Sequence, residues 1–167
     1  AAVGLELACA TPQRLHALVL ANTAPRFGSA DFWKTRIAKA RSEGLAALAA
    51  PTVDRWLTAS HAREDPALVS HLCEMFGSTD FEGYVDCAGP VMHFDASPHM
   101  SQVKAPCLVI AGSQDLATTG EQALALRDGT AGSCYAELHA AHLSNLDQPD
   151  AFTTLVDTFL QRHAKTI

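Results

Sequence analysis

Two kinds of hydrophobic spacing alternate along this chain and divide it into three parts. Short apolar runs at Leu15-His-Ala-Leu-Val-Leu-Ala21, Cys107-Leu-Val-Ile-Ala111 and Tyr135-Ala-Glu-Leu138 have the length and composition of buried strands. Helical spacing surrounds them. Residues 1–10 form a helical pattern closed by Thr11-Pro12, and Asn22-Thr-Ala-Pro25 is the exit turn of the first strand. A helix over about Glu121–Arg127 separates the second and third strands, and Phe152, Leu155, Val156, Phe159 and Leu160 form one stripe of a closing helix after Pro149. From Ser29 to about Pro98 no strand pattern occurs. That stretch reads as short helices: one with Phe32, Arg36, Ile37 and Ala40 on a face; Ala46–Leu57, single or broken into a pair at Pro51; Pro66–Phe76; and Phe81–Val91, which Gly89-Pro90 is expected to end or kink.

A helical block set between strand–helix units predicts an α/β fold, a parallel sheet with flanking helices and an inserted helical cap. The boundaries follow the pattern: residues 1–27 in the core, 28–98 in the cap and 99–167 in the core again. The chain opens in mid-helix, without a Met, an N-cap residue or a preceding strand, and without the charged and apolar regions of a targeting segment. The expectation is therefore a partial core that lacks its first strands. The central sheet would then carry an unpaired apolar edge around Leu18–Leu20, which predicts self-association or pairing with the absent N-terminal half.

Composition narrows the function classes. At 167 residues, 48% hydrophobic and a formal net charge of -6, the chain has enough apolar content for one core and no basic stripe for nucleic acid. No apolar stretch is long enough for a membrane span. Cys9, Cys73, Cys87, Cys107 and Cys134 are odd in number and widely spaced with no C-x-x-C pair, so they read as reduced, mostly buried residues of a cytoplasmic protein.

The chemistry lies beyond the second and third strands. Asp115 falls four residues after Ala111 and His142 four after Leu138, so two neighbouring parallel strands would bring both side chains to one rim. An aspartate that fixes an imidazole, which in turn accepts a nucleophile's proton, is the acid–base part of a Ser-His-Asp triad, and Asp before His is the α/β-hydrolase order. No serine here stands in a Gly-x-Ser-x-Gly turn. Ser144 lacks that strained turn and is read as a loop hydrogen-bonder, and His139 as a rim or surface residue. His93, Asp95 and His99 have no evident partner in the sequence to orient them around an ion and are not taken as a metal site; no cofactor is expected.

Val3-Gly-Leu-Glu-Leu-Ala8, Leu18-Val-Leu-Ala-Asn-Thr-Ala24, Arg26-Phe-Gly-Ser29, Leu108-Val-Ile-Ala-Gly112, Ala141-His-Leu-Ser-Asn145 and Gln148-Pro-Asp-Ala-Phe152 resemble the 3-oxoadipate enol-lactonases, α/β-hydrolases of aromatic-compound breakdown by the β-ketoadipate route. The resemblance implies a partial α/β-hydrolase fold that begins just after the catalytic Ser, with Asp115 as triad acid and His142 as triad base. It also implies that the oxyanion hole lies outside these residues and that this chain alone is inactive. Two departures from the pattern bear on local structure: Thr118-Thr119-Gly120 replaces a second Pro, which predicts a looser helix start, and Gly89-Pro90 interrupts the last cap helix.

The substrate implied by the resemblance is a small enol-lactone with a free carboxylate, opened by water to 3-oxoadipate. A carboxylate calls for a cation and a small ring for a tight apolar cleft. The cap offers Arg26, Trp33, Arg36, Arg55 and Trp56, of which Arg26, Trp33, Arg36 and Trp56 are the candidate substrate-binding residues; Trp33 and Arg36 lie three apart on one helical face. Fold and triad do not fix the scissile bond, so another ester, a carbon–carbon bond, or a non-catalytic small-carboxylate-binding remnant remain the alternatives.

Overall fold

The strand Cys107–Gly112 (β2) is buried at all six positions, and it is the centre of the structure. In the computed structural model, which describes residues 1–163, Leu18–Ala21 (β1) pairs on one side of it and Cys134–Leu138 (β3) on the other. Both pairings are parallel, with Leu18 opposite Cys107 and Leu108 opposite Cys134. A strand buried on both faces must be apolar throughout, which explains why Cys-Leu-Val-Ile-Ala-Gly shows no alternation.

Helices cover the two faces. Leu18, Leu20, Cys107, Val109 and Ala111 pack on one face against Leu5 and Ala8 of helix Ala2–Ala10 (α1) and Ala123 and Leu126 of helix Gly120–Gly129 (α7). Leu108, Ile110, Val19 and Ala136 pack on the other against Phe152, Leu155, Val156 and Phe159 of helix Pro149–His163 (α9). Leu160, expected on that stripe, is 42% exposed. It lies one step beyond Phe159 and rotates away from the sheet. Among the described residues β1 pairs with β2 alone, so its other edge is open.

Between β1 and β2 lie five helices: Ala30–Glu43 (α2), Ala46–Val53 (α3), Ala59–Glu64 (α4), Pro66–Gly77 (α5) and Phe81–His93 (α6). They hold two small cores of their own, one around Ala40, Leu45 and Leu48, the other around Val53, Leu57 and Leu72. Ser29, Thr58, Asp65 and Asp80 each cap a helix by accepting a backbone N–H three residues on.

Several local expectations are corrected. Neither proline ends its helix: Pro51 and Pro90 lie exposed, two and three residues before the ends of α3 and α6, where each costs one bond to the carbonyl four residues back and the turn closes around it. The first strand starts at Leu18 rather than Leu15, because a 3₁₀ turn at Pro12–Arg14 holds the chain out of register until Leu18 N–H reaches the Pro106 carbonyl. The start of α7 is tight, not loose. The Thr119 side chain accepts from Gln122 N–H while Gln122 Oε1 accepts from Thr119 N–H, a reciprocal cap. The six-residue α4 and the four-residue Ser144–Asp147 (α8) are too short to show a helical period.

Candidate active site

The loops that follow β2 and β3 are laced together before any side chain is considered. Ser113 N–H donates to the Leu138 carbonyl and Gln114 N–H to that of Ala140, both at 2.9 Å. Gly112 makes this possible, since a Cβ there would collide with the carbonyl oxygens of Ala140 and Ala141. The turn then aims Asp115 and His142 at each other: His142 Nδ1 lies 2.9 Å from Asp115 Oδ2.

Asp115 is 4% exposed, and its carboxylate is saturated with donors. Oδ1 accepts from Ala117 N–H at 2.8 Å and Thr118 N–H at 2.9 Å; Oδ2 accepts from Thr118 Oγ1 at 2.8 Å and Asn22 Nδ2 at 3.2 Å. Burial pushes such a carboxyl's pKa up. Here the bonds from His142 and Thr118, with the attraction of the imidazole, outweigh burial and hold it down to about 2. A carboxylate that stays ionised accepts a proton-bearing Nδ1, which leaves Nε2 as the basic nitrogen. The His142 side chain is 26% exposed, and among the described residues Nε2 has no hydrogen-bond partner.

Sequence reasoning named both members of this pair but missed the groups that hold them. Asn22, in the turn after β1, also donates to the Ala141 carbonyl at 3.0 Å and accepts from the Ser144 hydroxyl through Oδ1. Ser144 is fully buried and committed to that bond, consistent with a structural role. Asp147 ties the same loop to the helical block. Its carboxylate accepts from Ala141 N–H at 2.7 Å, from Thr58 N–H and Oγ1, and from His61 Nδ1 at 2.9 Å. An Asn or Asp at a turn is too common a signal to reveal bonds to residues 86 to 122 positions away.

Of the four cap candidates, Trp56 and Arg36 meet at one aromatic neighbour, both lying against the Phe76 ring. Trp56 is joined to the histidine loop, its carbonyl accepting Leu143 N–H at 2.8 Å. Arg36 donates from Nε to the Tyr84 hydroxyl and from Nη2 to Thr52 Oγ1, with its guanidinium over the Phe76 ring. Trp33 donates from Nε1 to the Phe27 carbonyl at 2.6 Å. Arg26 is exposed, in an isolated antiparallel bridge with Asp95. His139 is exposed, 3.1 Å from Gln114. Among the described residues no helix is long and apolar enough to cross a membrane.

No protein-family model matches the chain. Among curated proteins it is 33% identical to 3-oxoadipate enol-lactonase 2 of Acinetobacter baylyi over 95% of this chain and 60% of that protein. It is 26% identical to 3-oxoadipate enol-lactonase 1 of the same organism, over 89% of this chain and 56% of that one. Among solved structures, the enol-lactonase from Burkholderia xenovorans LB400 superposes with a TM-score of 0.91 at 39% identity, covering 95% of this chain and 61% of the other. A hydrolase from Pseudomonas aeruginosa gives 0.89 at 32% identity, with coverages of 95% and 60%. The chain thus spans about 60% of the length of these relatives. Over nearly its whole length the chain is similar to the 3-oxoadipate enol-lactonases, and its fold is a partial α/β-hydrolase fold.

Proposed function

We propose that these residues supply the acid, the base and the cap of a cytoplasmic enzyme that hydrolyses 3-oxoadipate enol-lactone in the β-ketoadipate route, its nucleophilic serine standing in an upstream Gly-x-Ser-x-Gly turn. The observation that carries the proposal is the 2.9 Å contact between His142 Nδ1 and Asp115 Oδ2, formed by loops that leave adjacent parallel strands. Similarity to relatives named enol-lactonase supports the choice of substrate class.

In this mechanism the serine hydroxyl attacks the lactone carbonyl while His142 Nε2 accepts its proton, and Asp115 stabilises the imidazolium without being protonated itself. The tetrahedral intermediate collapses, the acyl–oxygen bond of the ring breaks, and Nε2 returns the proton to the enol oxygen. Water then attacks the acyl-enzyme, His142 again accepting and returning a proton, and the freed enol tautomerises to the ketone of 3-oxoadipate. These residues contain neither the serine turn nor the oxyanion donors that go with it, so the chain alone is inactive in this proposal. Of the cap candidates Trp56 is the best placed to line the cleft, because its backbone is bonded to the residue after His142. Arg36 would have to leave Tyr84 and Thr52 to meet a carboxylate.

The test is lactone hydrolysis by the protein containing both this region and its serine turn, beside His142→Ala. Turnover in the first and a loss of at least ~100-fold in kcat for the second are expected. A folded native protein inert on the lactone but active on simple esters would reject the substrate assignment; one inert on both would reject the proposal.

A further inference from the structure

Among the described residues, the hydrogen bonds of the Asn22 side chain join all three loops beyond the three strands. It sits at the end of β1 in a left-handed conformation, φ 46°, the one non-glycine residue with positive φ among those described. Asparagine tolerates that region better than most residues. The twist turns its amide inward, while its backbone N–H still donates to the Ile110 carbonyl of β2 at 2.9 Å. From there Nδ2 reaches Asp115 Oδ2 in the loop after β2 and the Ala141 carbonyl in the loop after β3, and Oδ1 takes the Ser144 hydroxyl in α8. His142 lies between two of these anchors, Ala141 and Ser144.

The geometry points to Asn22 as a positioning residue for the acid–base pair, a role that rests on the hydrolase proposal above. Its amide performs two tasks that one group rarely combines. It donates to the same carboxylate oxygen that meets His142 Nδ1, which fixes the rotamer of Asp115 without adding charge. It also pins the backbone on either side of His142, so that the imidazole keeps its distance from the carboxylate when the proton moves. The Asn amide is neutral, and this matters: an aspartate of the same shape would set a second carboxylate beside Asp115 and strengthen the hold on an imidazolium. Thr118 already donates to the same oxygen at 2.8 Å, so the native carboxylate has enough donors to stay ionised with Asn22 adding orientation.

The experiment uses the protein containing the serine turn, in native, Asn22→Asp and Asn22→Gly forms; glycine accepts the positive φ, and aspartate keeps the side-chain shape and the acceptor for Ser144. Steady-state hydrolysis across pH is measured together with the far-downfield NMR signal of the proton shared by His142 and Asp115. Expected are a fall in kcat of at least ~10-fold in both variants with KM within about twofold, since each loses the amide donor that orients the pair and neither alters a substrate contact. The acidic limb of the pH profile should move up by about one unit in Asn22→Asp and stay in place in Asn22→Gly, because only the former adds a charge that favours the protonated base. The shared-proton signal should broaden or vanish in Asn22→Gly. Native kcat in both variants with an unmoved acidic limb and an unchanged proton signal would overturn the role. If the native protein hydrolyses no ester, the hydrolase proposal fails, and the proton signal still decides whether Asn22 orders the pair. Should Asn22→Gly not fold, Asn22→Asp carries the test through its pH limb.

Discussion

Asp115 keeps a charge in a place where burial alone would neutralise it, and that has a consequence for acid stability. Its pKa lies at about 2 in the folded protein against an ordinary 3.8, so the unfolded chain binds the proton more readily. The resulting stabilisation, about 2 kcal/mol, is fully present above pH ~4 and is lost as pH falls through ~2. Urea unfolding of the protein at pH 5 and pH 2.5 should show this loss, and Asp115→Asn should show a smaller acid-dependent loss than the native protein. An equal loss in the two would mean that other carboxylates account for it. The pair itself was legible from the sequence, because Asp115 and His142 follow apolar runs at matching offsets and strand ends collect functional groups. Asn22 and Thr118 were not. Each is an ordinary turn residue by composition, and the bonds that give it meaning depend on which loops the sheet brings together.

At the scale of elements, the sheet and the helical block meet at Asp147. This carboxylate, its side chain 1% exposed, accepts from the N-cap residue of α4, from His61 inside α4 and from Ala141 beside His142. Around it Leu143 and Leu146 pack into the core formed by Val53, Leu57 and Leu72. Removing the carboxylate would leave several buried donors without a partner, so Asp147→Ala should lower unfolding stability by about 3 kcal/mol. His61 is partly exposed, and water can replace it, so His61→Ala should cost no more than about 1 kcal/mol. Thermal or urea unfolding of the two variants checks the order; equal losses would assign the link to the imidazole and not to the backbone donors. Elements with a long apolar period, such as α9 and β2, could be read directly, whereas α4 could not. Ala-Ser-His-Ala-Arg-Glu has no buried residue; Ala62 alone packs against the neighbouring core, and the bonds that hold the helix come from Thr58 before it and Asp147 far along the chain.

At the scale of the whole molecule, the open edge of β1 sets how these residues behave by themselves. In a parallel ladder alternate residues bond to the same neighbour: Leu18 donates to Pro106, just before β2, and Asn22 to Ile110 within it. Val19 and Ala21 therefore present their backbone groups to the other side, where among the described residues no strand lies. Their side chains are only partly buried against α9, so the edge is apolar as well as unpaired. Such an edge templates pairing with another chain. The 167 residues alone should sediment as oligomers whose size grows with concentration. Val19→Pro offers a specific probe, because it removes an outward N–H while leaving the ladder to β2 intact, and proline is tolerated at an edge. It should shift the distribution toward monomer with the circular-dichroism spectrum retained. A monodisperse native monomer that unfolds cooperatively would show that the open edge is satisfied within the chain, and the expected pairing with a strand that bears the nucleophile would lose its structural basis.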